Sequence, residues 1–145
     1  MGLYKAIGVS NYKISHLEEL KSMKCKVMPH INQLEFHVMH DPNREIMKYC
    51  RDNGIVVMAY SPYAGGKAFS LPKVKELAEK YKKTAGQIML RWIFQHGIVP
   101  IPKTAKVERA KENGQIFDFE LSKEDMVVLN SIHKESSVTI CEAPK

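Results

Sequence analysis

The residues best suited to chemistry lie between positions 101 and 113, in the stretch Ile-Pro-Lys-Thr-Ala-Lys-Val-Glu-Arg-Ala-Lys-Glu-Asn. Lys103 supplies a point charge and Thr104 a hydroxyl, both suited to a phosphate group. Arg109, Glu112 and Asn113 follow at i, i+3 and i+4, which puts all three on one helix face. A guanidinium plane covers a base or grips a phosphate, and an Asn amide matches the N6/N7 edge of adenine. Cations, a hydroxyl and an amide packed at the start of a helix suit a phosphorylated nucleotide. An ordinary surface ion pair between Arg109 and Glu112 fits the same spacing, so the stretch does not decide the matter alone.

Three further clusters have the same character. Gly8-Val9-Ser10-Asn11, then Asn32-Gln33 with Glu35, then Tyr60-Ser61-Pro62-Tyr63 each sit at the end of a short apolar, β-rich run. Ser10, Asn11 and Gln33 offer donors and acceptors matching a carboxamide. Tyr60 offers a flat ring for stacking on a heterocycle. With the 101–113 stretch, the set suits a dinucleotide and contains no strong nucleophile–base pair. Other roles remain open at this point. Ser10-Asn11 also suits a strand end and turn, Asn32 and Gln33 a satisfied polar pair of a sheet, and Tyr60 a core position.

The elements that must position these groups are signposted. Apolar runs at 6–9, 31–34, 55–59 and 98–101 are each followed by a polar loop and a helical pattern. Helices are predicted near 15–24, 42–53, 72–82, 84–96, 106–113 and 122–133. Ser15 to Glu18, Thr84 to Gln87 and Ser122 to Asp125 read as N-terminal capping signals. Asp41-Pro42 reads as an N-cap with proline at the first helical position. Gly54 and Gly97 stand where a helix ends and a strand begins. Strands alternating with helices predict a parallel sheet, with ligands at the carboxyl ends of its strands. A doubly wound sheet of the flavodoxin type fits, and so does half of a (β/α)8 barrel. Periodicity does not choose between them.

Bulk properties bound the function. The chain has 145 residues, the length of one ordinary domain. At 44% hydrophobic and 26% charged it reads as globular rather than disordered. No apolar run approaches the roughly 18 residues of a membrane span, so no membrane partner is expected. Met-Gly at the start lacks the Ser or Thr at position 6 that a myristoylation signal wants, since Ala6 stands there. Cys25, Cys50 and Cys141 are an odd, unpatterned set, which points to a reducing compartment and a cytoplasmic location. The net charge of +6 comes from scattered Lys and Arg without an aromatic–basic platform, which argues against nucleic acid. His37 and His40 have helical metal-ligand spacing but no third ligand, so no metal is expected. Trp92 reads as helix packing.

Taken in order, "KAIGVSN", "NQLE-H", "AYSP", "LRW", "VPIPKT" and "R--EN-QIFDFELS-EDM" resemble the aldo-keto reductases over residues 2–133. The resemblance implies the carboxyl-terminal half of a (β/α)8 barrel, its fifth to eighth βα units, as a single partial domain over residues 1–145. It also implies NADP as cofactor. By that resemblance Ser10, Asn11 and Gln33 hold the nicotinamide carboxamide, Tyr60 stacks on the ring, and Ser61 lies along the pyrophosphate. Lys103, Thr104 and Arg109 meet the 2′-phosphate, and Glu112 and Asn113 the adenine. The family often carries Leu-Gly after "YSP", whereas Tyr63-Ala64-Gly65-Gly66 stand here. The family's catalytic Asp, Tyr, Lys and His belong to the first four units, so no catalytic residue is assigned and the isolated chain is expected to be inactive. Four strands alone leave two edges and an open inner face, which predicts a complementary half-barrel partner or a homo-oligomer. The alternative is a non-catalytic nucleotide-binding or self-assembling half-barrel module.

Overall fold

The computed structural model describes residues 3–40 and 44–141. Four strands, β1 (Gly8–Ser10), β2 (Ile31–Glu35), β3 (Val56–Tyr60) and β4 (Val99–Pro100), form one parallel sheet in the order β1-β2-β3-β4. Between and after them run α1 (Ile14–Ser22), α2 (Arg44–Asp52), α3 (Pro72–Tyr81), α4 (Ala85–Gln95), α5 (Val107–Gly114) and α6 (Lys123–Glu135). A 3-10 segment, Ala64–Ser70, joins β3 to α3 and was not expected from the pattern. The helix start at Asp41-Pro42 lies outside the described residues.

Strand order settles the architecture. A doubly wound sheet reverses its strand order at a switch point and carries helices on both faces. Here every strand pairs with its sequence neighbour, and among the described residues one face is packed while the other is largely open. Asn32, Leu34, Val57 and Ala59 are buried against the helices, with Val9 packed on the same core. The residues between them face the other way, and there Val56 is 48% and Val99 43% exposed. Ser10 stands opposite Gln33, Gln33 opposite Met58, and Met58 opposite Val99, so this open face is layered as the inside of a barrel would be. The fold is α/β, half of a (β/α)8 barrel.

Local chemistry explains most boundaries. Gly54 (φ 68°) and Gly97 (φ 74°) adopt the left-handed conformation that ends a helix before β3 and β4. β4 is short because Pro100 and Pro102 lack the N–H a longer ladder needs. Thr84 caps α4: its hydroxyl accepts from Gln87 N at 3.2 Å, while Gln87 Oε1 accepts from Thr84 N at 3.0 Å. Ser122 caps α6, accepting from Asp125 N. The Ser15 signal does not act as a cap. α1 begins earlier, with Lys13 as its N-cap residue and the His16 ring accepting from Lys13 N at 3.2 Å. The core lies between sheet and helices, where the Trp92 indole stacks on Phe36 with centroids 4.7 Å apart and donates to Asn130 Oδ1.

Candidate functional site at the strand ends

The carboxyl ends of the strands deliver several of their polar residues to two clefts. One, about 530 Å³, has Asn11, Glu35, Tyr60, Thr139 and Cys141 in its wall. The other, about 250 Å³, is lined by Tyr63, Phe69, Gly86, Lys103, Thr104, Arg109, Glu112 and Asn113. All five residues singled out in the 101–113 stretch therefore line one cavity.

In the first cleft the loop after β1 is held by three elements. Ser10 Oγ donates to the Gln33 carbonyl at 3.1 Å, and Asn11 N donates to the same oxygen at 2.9 Å. Asn11 sits at φ 58°, a left-handed conformation that Asn tolerates. The Tyr60 hydroxyl donates to Asn11 Oδ1 at 3.2 Å. Burial, ahead of smaller effects, pushes the Tyr60 phenol above its ordinary pKa, so it stays a neutral donor and a flat ring. Asn32 is fully buried beneath the loop, with its amide bonded to both the N–H and the carbonyl of Tyr12. It is a structural strap. Gln33 and Ser10 belong to the strand layer below, and neither they nor Ser61 (φ 52°) are among the residues lining the two clefts.

The second cleft is built on α5. Thr84 Oγ1 donates to Glu112 Oε1 at 2.6 Å, and Gln87 Nε2 donates to the carbonyls of Glu112 and Gln115 at 3.2 and 3.0 Å. The start of α4 thus fixes the end of α5. Tyr63 donates to Asn113 Oδ1 at 2.7 Å, and burial, followed by the nearby Glu112 charge, drives its phenol pKa well upward. Thr104 Oγ1 accepts from Lys106 N at 3.1 Å, shaping the turn into α5. Sequence reasoning missed Tyr63, Phe69 and Gly86 as walls of this cavity, and Thr84 as the group that holds Glu112 in it. The Thr84 cap was legible, but its reach to Glu112, 28 residues away, was not.

At the mouth, Glu35 is buried and its carboxylate accepts from His37 Nε2 at 3.0 Å, Ile140 N at 2.6 Å and Cys141 N at 2.9 Å. Burial pushes the carboxyl up, but the Cys141, Ile140 and His37 bonds outweigh it and hold its pKa below the ordinary range. His37, also buried, has its pKa lowered chiefly by that burial, and its Nδ1 accepts from Met39 N. Among the described residues no cluster of three metal-ligating side chains occurs.

Residues 1–134 match the aldo/keto reductase family. The chain belongs to that family. It is 42% identical to the glyoxal reductase of Bacillus subtilis over 137 residues, covering 94% of this chain and 49% of that protein. Among solved structures, the aldose reductase of Giardia lamblia superposes with a TM-score of 0.89 at 32% identity, over 97% of this chain and 48% of that one. An aldo-keto reductase of the silkworm Bombyx mori, complexed with NADPH, superposes with a TM-score of 0.82 at 37% identity, over 90% of this chain and 43% of that one. The chain spans about half the length of the aldo-keto reductase relatives it matches.

Proposed function

We propose that this chain is the cofactor-gripping half of an NADP-dependent aldo-keto reductase, comprising βα units five to eight as one partial domain. One observation carries the reading: Lys103, Thr104, Arg109, Glu112 and Asn113 converge on a single cleft at the strand ends. Lys103 and Arg109 supply the charge for a 2′-phosphate, with Thr104 beside them, and Glu112 and Asn113 meet the adenine. Tyr60 and Asn11, in the other cleft, offer a ring and an amide to the nicotinamide, with Ser10 and Gln33 behind them and Ser61 toward the pyrophosphate. Hydride transfer to a carbonyl also needs a proton donor at the developing alkoxide. In this reading that donor sits on the complementary half of the barrel, and this chain alone does not turn over. The three cysteines are free thiols, in keeping with a cytoplasmic location.

Fluorescence titration with NADPH and with NADH tests the reading. NADPH should bind the more tightly, and Arg109→Ala should weaken NADPH about tenfold or more while sparing NADH, the loss of one charge-assisted bond. Equal binding of both nucleotides by the unaltered chain would remove the 2′-phosphate assignment. The open apolar face at Val56 and Val99 favours a second reading, a self-assembling nucleotide-binding half-barrel, which sedimentation across a concentration series would reveal.

A further inference from the structure

The cleft around Glu112 and Asn113 has a wall that the aldo-keto reductase pattern does not supply. Tyr63 stands where that pattern often carries Leu. Its ring lies against Phe69 with centroids 5.0 Å apart, and its hydroxyl reaches across 50 residues of chain to donate to Asn113 Oδ1 at 2.7 Å. A primary amide has one acceptor end and one donor end. With Oδ1 held against the phenol, the flip state of the amide is fixed, and Nδ2 is its donor end for a ligand. The neighbouring carboxylate is held as well, by the Thr84 hydroxyl at Glu112 Oε1. Gly86 lies between the two devices, since a Cβ built there would stand 3.6 Å from both Glu112 Oε1 and the Tyr63 oxygen.

The cleft therefore presents a donor beside an acceptor. Adenine carries the matching pair on one edge, an acceptor at N7 and an amino donor at N6. A 6-oxo purine offers two acceptors there, one of which would confront the Glu112 carboxylate.

We infer that Tyr63 is a positioning residue that fixes the Asn113 amide with Nδ2 toward the ligand, and so makes this cleft selective for adenine over 6-oxopurine nucleotides. The inference rests on the nucleotide reading of the cleft given above. With Tyr63 removed, the amide is free to turn over and offer either end, and base selectivity falls.

Adenosine 2′,5′-bisphosphate and its inosine counterpart test this, because both reach only this cleft. By calorimetric titration the unaltered chain should prefer the adenosine compound. Tyr63→Phe should weaken that compound about two- to tenfold, the range of one hydrogen bond, and narrow its advantage over the inosine compound. Because Tyr63 acts through Asn113, Tyr63→Phe should add nothing in an Asn113→Ala background. A merely structural tyrosine would weaken both compounds alike, and would do so in that background too. Either result overturns the inference, as does unchanged affinity and selectivity in Tyr63→Phe. Tyr63→Leu carries the same readouts if the Phe variant does not fold. Failure of the unaltered chain to bind the adenosine compound removes the nucleotide reading, and this inference with it.

Discussion

Asn32 is wholly buried, and both ends of its amide are bonded to Tyr12, with Nδ2 also reaching Cys50 Sγ at 4.0 Å. It holds the turn on which Asn11 reaches Tyr60. Asn32→Leu keeps the branched shape and heavy-atom count but strands the Tyr12 N–H and carbonyl, at a cost of about 1–3 kcal/mol for each group left unpaired. Urea unfolding should show a loss of that order, and Asn32→Leu should also weaken NADPH binding as the Asn11–Tyr60 contact loosens. In the sequence Gln33 was offered to a carboxamide, and Asn32 and Gln33 together were also open to the role of a satisfied polar pair of the sheet. What separates them is the pleat: adjacent residues face opposite sides of a strand, and one side is packed while the other is open. An amide dipeptide does not reveal which side is which until the neighbouring strands are in place.

At the level of elements, two capping signals of similar appearance had different fates. Thr84 and Gln87 bond each other reciprocally, and Thr84 also holds Glu112. Thr84→Ala should lower stability by about 1 kcal/mol or more in urea titration, and should weaken nucleotide binding by freeing the end of α5. Ser15→Ala should leave stability within about 0.5 kcal/mol, because α1 already starts after Lys13. The pattern at Ser15 was sound locally, but tertiary bonds to the preceding turn moved the helix start. Helix identity was legible throughout for the opposite reason. Periodic apolar faces and glycines such as Gly54 and Gly97 act over short range, and the packed fold agrees with them. The 3-10 segment at Ala64–Ser70 left no periodic trace, and its Gly65 and Gly66 were open in the sequence to a turn or to backbone N–H groups approaching a phosphate.

Across the whole molecule, the link between Glu35 and the chain 105 and 106 residues further on joins the second strand to the tail. Glu35 and His37 both have lowered pKa values in the folded chain. A group of that kind contributes stability above its unfolded pKa and loses that contribution as pH falls toward its folded value. The urea midpoint should therefore fall as pH drops through the imidazole range and then the carboxylate range. Glu35→Gln should flatten the lower part of that decline; a midpoint that rose in acid would contradict the assignment. The choice between barrel and doubly wound sheet was the part of the fold that periodicity left open, because strand order is a long-range property. The ordered motifs, rather than any apolar pattern, pointed to the right architecture.

The one-after-another pairing of strands bears on how the chain is made. Among these four strands, β2, β3 and β4 each dock on the strand synthesised just before, so this part of the sheet can grow outward as the polypeptide leaves the ribosome. The bonds from Ile140 and Cys141 to Glu35 then close only after all four of these strands have been made. Until they do, the acid at the rim of the nascent sheet remains open to water, and a ribosome stalled shortly before those codons would hold a pleated sheet whose mouth is still unlatched.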